Sequence, residues 1–144
     1  LATCTEHMEE HNRHYRELRK TLLDGLNDRF SGRFKINGPV DSGVPHIINL
    51  SFLPESEGDE TKTGLDGEML LLNLDIEGIC VSNGSACTSG AVEPSHVLKG
   101  IGLPDNIANS SIRVSFGKDN SVEQVHFFLD KLESVLERMT KVTT

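Results

Sequence analysis

No hydrophobic run in these 144 residues approaches the ~20 apolar positions that a membrane-spanning helix needs. The first residues are mixed and polar, without the apolar stretch of a secretory signal. Basic residues are scarce: 14 Lys and Arg against 22 Asp and Glu leave a net charge of -8. That balance argues against a nucleic-acid partner, whose phosphates call for clustered cations, and reads more simply as solubility. Cysteine is scarce as well. Cys4, Cys80 and Cys87 give an odd count with no CxxC pair, so neither a disulfide framework nor a zinc finger is indicated. A reducing compartment fits, the cytoplasm or an organellar matrix. Without a secretory signal, the glycosylation-like triplets starting at Asn49, Asn83 and Asn109 are read as chance. Repeats and low-complexity tracts are missing too.

What remains is an ordinary globular composition, 36% hydrophobic and 25% charged, suited to a single domain. A chain of this length buries roughly two thirds of its unfolded surface, enough for a core. It begins at Leu1 rather than Met, which suggests a piece of something longer.

The chain is organised around residues 81–98. There Val81-Ser82-Asn83-Gly84-Ser85-Ala86-Cys87-Thr88-Ser89-Gly90 sets one cysteine among small residues, and Glu93-Pro94 follows as a helix start. Small side chains bury little apolar area, so the stretch does not build core. Gly84 and Gly90 free the backbone on both sides of the thiol. A thiolate must be reached before it can attack, and an open loop gives that access. The plainer alternative is a surface turn that happens to hold Cys87.

Taken in order, Met8, Tyr15, Leu18, Leu22, Leu26 and Phe30 form one stripe of an amphipathic helix that ends at Ser31-Gly32. Inside it, His7-Met8-Glu9-Glu10-His11 matches the H-x-x-E-H pattern of inverted zincins. No third ligand helix is evident, so a solvated face is preferred and no metal is expected. Residues 33–36 and 46–52 alternate as strands, with Phe34, Ile36, Ile48, Leu50 and Phe52 inward. Residues 54–63 read as an acidic loop. Asp66 caps a helix running to Asp75, Gly78 resets the backbone, and Ile79-Cys80-Val81 reads as a short buried strand with Cys80 in the core. Pro94 suits the first turn of a helix whose inner side is Val97, Leu98 and Ile101, closed by Gly102-Leu103-Pro104. Residues 111–116 form the most regular strand, with Ile112, Val114 and Phe116 inward and Ser111, Arg113 and Ser115 outward. Ser121 and Gln124 have capping-box spacing ahead of a last helix striped by Val125, Phe128, Leu129, Leu132, Leu136 and Met139.

Four short strands and three sizeable helices predict an α+β two-layer domain, a small mixed or antiparallel sheet covered by helices on its apolar face. If the strands share one sheet, Asn49, Ser51, Arg113 and Ser115 look out from the other face.

Three blocks in this order, Gly84-Ser85-Ala86-Cys87-Thr88-Ser89-Gly90, then Glu93-Pro94-Ser95-His96-Val97-Leu98, then Ser110-Ser111-Ile112-Arg113-Val114-Ser115-Phe116-Gly117, closely resemble the pyridoxal-phosphate-dependent cysteine desulfurases, in particular the subgroup with a long cysteine loop. The resemblance runs from about Leu18 to Met139 and covers only the small C-terminal domain of that family. It implies a linker helix over residues 1–30, a small domain over 31–144 carrying the cysteine loop (82–93), and a large cofactor domain absent from the sequence. It further implies that Cys87 takes the sulfur of L-cysteine as a persulfide, releasing L-alanine, for transfer to an acceptor or scaffold protein in iron–sulfur or thio-cofactor assembly. Arg113 would hold the substrate carboxylate, and the whole enzyme would be a homodimer. Asn83 stands where many members have Ser or Gly. No lysine in a Schiff-base setting and no phosphate cradle is visible, so pyridoxal phosphate would be held by the missing domain and this chain alone would not turn over cysteine. His96, nine residues from Cys87, reads as structural or surface rather than as a base. A stand-alone sulfur carrier or interaction domain is the alternative.

Overall fold

A computed structural model of the chain describes residues 6–53, 65–83 and 94–142. Helix α1 (Met8–Phe30) is 23 residues long, about 34 Å at 1.5 Å per residue. It is followed by β1 (Phe34–Ile36), β2 (Ile47–Phe52), α2 (Gly67–Ile76), α3 (His96–Gly100), α4 (Asp105–Asn109), β3 (Ser111–Ser115) and α5 (Val122–Val142). The strands form one antiparallel sheet in the order β1-β2-β3. Helices α1, α2 and α5 pack on one side of it, so the fold is α+β in two layers, with an antiparallel sheet.

The apolar stripes meet there. Leu18, Leu22, Leu26 and Phe30 of α1, Leu70 and Leu74 of α2 and Leu129, Leu132 and Leu136 of α5 enclose Ile48, Leu50, Phe52, Ile112 and Val114. Met8, at the start of the predicted stripe, is instead 53% exposed. The helix ends behave as their sequences indicate. Gly32 takes a φ of +75° beyond α1, a conformation that costs glycine little. The Asp66 carboxylate accepts the N–H groups of Glu68 (2.9 Å) and Met69 (3.1 Å), filling two of the open donors at the start of α2. At α5, Ser121 N–H donates to Gln124 Oε1 (3.2 Å) and Gln124 N–H to Ser121 Oγ (3.4 Å), a reciprocal capping box.

Several expectations require correction. The expected fourth strand at Ile79–Val81 is not a strand; only Ser82 pairs, as an isolated bridge to Arg113. Cys80 is exposed rather than core. Ile79 and Val81 pack against the core, and alternation of an extended chain then turns Cys80 the other way. Val97 and Ile101 are each 58% exposed and only Leu98 faces inward, because its partners are a small satellite cluster of Leu103, Ala108 and Ile107. Pro94 precedes the N-cap Ser95 and lies outside α3, while Pro104 opens a further helix, α4, instead of merely closing α3.

Candidate functional site

The face of the sheet away from the helices carries the candidate site, and its layout follows from the pairing register. Phe116 N–H donates to His46 O (2.8 Å) and Phe52 N–H to Ser110 O (3.4 Å), which fixes the rungs of the β2–β3 ladder. Antiparallel rungs alternate between wide and narrow pairs. Asn49 and Arg113, Cα partners in this register, therefore form a narrow pair, with Cα atoms ~4.5 Å apart and side chains at their closest. Each turns its own backbone groups outward. Asn37 N–H donates to Asn49 O at 2.9 Å, while Ser82 N–H donates to Arg113 O at 3.2 Å and Arg113 N–H to Ser82 O. Directly opposed residues share a face, so Asn37, Asn49, Arg113 and Ser82 make one polar row across the sheet.

Arg113 is exposed, and its guanidinium has no hydrogen-bond or ion-pair partner among the described residues. A free, planar cation of this kind suits a carboxylate, which it can grip with two parallel N–H groups. Beside it, Asn49 Oδ1 accepts from Asn37 Nδ2 (2.6 Å), and the same Nδ2 donates to Ser51 Oγ (2.7 Å). Ser51 lies on this face as expected but is fully buried there, and so is its cross-strand partner Ser111, so neither is open to solvent as Arg113 and Ser115 are. Asn37 is not singled out by the sequence. Its contribution depends on a cross-strand partner that no local pattern reveals.

Cys87, together with Ser85, Thr88 and Ser89, lies outside the described residues, as does the acidic stretch 54–63. The described chain on the N-terminal side of Cys87 stops at Asn83, one residue beyond the Ser82–Arg113 bridge. His96 is exposed at the first residue of α3. Cys80 lines a groove of about 370 Å³ with Val81, Ser115, Phe116 and Phe127. In the H-x-x-E-H stretch, His7 Nδ1 lies 3.3 Å from Glu10 Oε2 and the His7 and His11 rings are 6.0 Å apart. Among the described residues no group of three or more His, Cys, Asp or Glu side chains could hold a metal ion. No described helix is long and apolar enough to cross a membrane.

The profile of the Aminotransferase class-V family matches residues 4–128, most of the chain. The chain belongs to that family. It is 37% identical over 99% of its length to the cysteine desulfurase IscS of Clostridium botulinum and 39% identical over 92% to that of Vibrio vulnificus. It covers 34% and 29% of those two proteins, so it spans about a third of the curated relatives that it matches. Among solved structures it is similar to a NifS-like protein, with a TM-score of 0.73 and 28% identity over 94% of this chain and 30% of that one. The α+β architecture is thus that of a class-V aminotransferase segment.

Class-V aminotransferases imply pyridoxal phosphate, and the described residues do not fit the holding of it. A Schiff-base lysine must be desolvated or otherwise freed from charge partners. Here Lys20, Lys99 and Lys131 pair with Asp24, Asp105 and Glu77, and Lys35 and Lys118 are exposed. What these residues offer is an exposed guanidinium next to the Ser82 bridge.

Proposed function

We propose that the whole protein is a pyridoxal-phosphate-dependent cysteine desulfurase of the cytoplasm, and that these residues are its small domain (31–144) preceded by a linker helix (1–30). Arg113 binds the carboxylate of L-cysteine. Cys87, on the loop 82–93, accepts the sulfur. Its thiolate forms a new S–S bond as the substrate C–S bond breaks; the electron pair of that bond stays on carbon, which takes up a proton and leaves as L-alanine. The persulfide on Cys87 is then passed to a thiol of an acceptor or scaffold protein for iron–sulfur or thio-cofactor assembly, and the enzyme works as a homodimer. Pyridoxal phosphate, held by a large domain outside these residues, supplies the electron sink.

The observation that carries this reading is the Ser82–Arg113 bridge, in a chain similar over nearly its whole length to proteins named cysteine desulfurase. It ties the start of the Cys87 segment to the very residue offered to the carboxylate. The test is Cys87→Ser in the full-length protein. Alanine production from L-cysteine is expected to fall at least a hundred-fold, on the order of the loss when a nucleophile is removed, with the cofactor absorbance retained. Unchanged alanine production would refute the assignment of Cys87. A wild-type protein that binds the cofactor, yields no alanine and still accepts sulfur on Cys87 from another persulfide would favour a carrier.

A further inference from the structure

We infer that Asn49 is a second carboxylate-binding group beside Arg113, held in the donating orientation by Asn37; this deepens the desulfurase reading and rests on it for the identity of the substrate. The side-chain amide of asparagine has one accepting and one donating end. At Asn49 the accepting end is taken, because Oδ1 receives Asn37 Nδ2 at 2.6 Å. Turning one amide alone would set like ends against each other, and turning both would put the Asn37 NH2 group in the buried position where Oδ1 now has no partner among the described residues, an orphaned donor being costlier than an orphaned carbonyl oxygen. The free end is Nδ2, which has no partner among the described residues. Asn49 faces Arg113 as a narrow antiparallel pair, the arrangement that brings opposed side chains closest.

The neighbouring atoms show that this orientation is held at a cost. Both N–H groups of Asn37 Nδ2 are spent, on Asn49 Oδ1 and Ser51 Oγ. Asn37 Oδ1 is left buried with no hydrogen-bond partner among the described residues. An orphaned buried acceptor destabilises a fold, so a lasting one calls for a reason. Presenting an Asn49 donor next to a cation is such a reason. The site then holds a guanidinium and a neutral N–H donor on adjacent strands, and a carboxylate has lone pairs enough for both. Ser82, on the far side of Arg113 in the same row, keeps its backbone in the bridge and leaves the inner side of the row to Asn49.

The test compares two ligands that differ only at the carboxylate. In full-length protein loaded with cofactor, calorimetry gives dissociation constants for L-alanine and for L-alaninamide, and cysteine turnover is assayed in parallel. Asn49→Ala is expected to weaken L-alanine binding about ten- to a hundred-fold, as for loss of one hydrogen bond to a charged group, and to leave L-alaninamide within two-fold. Asn37→Ala, which frees the Asn49 amide to rotate, shows the same selectivity at roughly three- to ten-fold. Equal binding of L-alanine by wild type and Asn49→Ala overturns the inference, and so does a loss shared by both ligands, since a structural defect would not distinguish them. A wild-type protein that binds L-alanine in this Asn49-dependent way but does not desulfurate cysteine overturns the desulfurase reading and leaves Asn49 as a carboxylate group.

Discussion

Replacing Gly67 with alanine is expected to loosen the corner from which β3 presents Arg113. Gly67 is the first residue of α2, and an added methyl group would fall on the carbonyl oxygen of Asn109, with Ser111 O at 3.2 Å and Asn109 C at 3.3 Å. These are backbone atoms and cannot rotate aside. The corner itself is fastened, since Ser110 Oγ lies 2.8 Å from Phe52 O and 2.9 Å from Ile107 O. The strain therefore displaces α2. Overpacking costs typically about 1–3 kcal/mol, and alanine returns up to about 1 kcal/mol through helix propensity. A net loss of about 1–2 kcal/mol follows, which makes local opening roughly 5–30 times more frequent.

The displacement reaches the site because α2 leads through Gly78 to Ser82 and its bridge to Arg113. Multi-domain proteins do not melt as one two-state unit, so a single melting temperature would blur the effect. Amide hydrogen exchange at Ser82 and Arg113 in the full-length protein reads it directly. Faster exchange at both amides in Gly67→Ala, by about that factor, is the expected result. Unchanged or slower exchange would mean that α2 absorbs the methyl without moving and would refute the reasoning.

Arg19 is buried on α1 and donates to Ile47 O (3.1 Å) and Val40 O (3.0 Å), tying residues 40–47 to the helix; Arg19→Met leaves two carbonyls short of donors and should cost about 2–4 kcal/mol of local stability, read as faster amide exchange in β2 of the full-length protein, and unchanged exchange would count against that anchor. Glu77 joins α2 to α5 through Lys131 (2.8 Å) and Arg138 (2.9 Å), and these hydrogen bonds hold its carboxyl below the usual glutamate range. A carboxyl lowered in this way stabilises the fold fully above its unfolded pKa and loses that stabilisation as pH falls through the lower folded value. The stability gap between wild type and Glu77→Gln should accordingly be constant near neutrality and close under acid, whereas a gap independent of pH down to 3 would remove Glu77 from the clasp.

The helical layer was legible because its signals are local. Leu18, Leu22 and Leu26 announce their face by spacing, and the Asp66 cap and the Ser121–Gln124 box need only residues within one turn. The alternation in β2 and β3 likewise assigned Ile48, Leu50, Phe52, Ile112 and Val114 to the helix-covered face. Errors began where a neighbour distant in sequence decides. Ile79-Cys80-Val81 has a strand's composition, but its second partner strand is absent among the described residues, so only Ser82 pairs. Val97 and Ile101 look like a core face, yet the satellite cluster has room for Leu98 alone. Ser51 lies on the expected face, but nothing near it in sequence foretells that Asn37 closes over it and that it is buried there.

The candidate site shows the same division more sharply. Arg113 could be singled out only by the resemblance of its block to a known family, and Asn49 only as a residue of the same face, while Asn37 and Ser82, 76 and 31 positions before Arg113 in the chain, could not be placed beside it. Two registers bring them together, β1 against β2 and β2 against β3, and each is fixed by the opposite face. Ile48, Leu50 and Phe52 must meet the helices together with Ile112 and Val114. A slip of one residue in either ladder would put those side chains in water and Asn49 in the core. Burial on the helical side thus sets the polar row on the other, and the core residues far from Arg113 are what place a donor next to it.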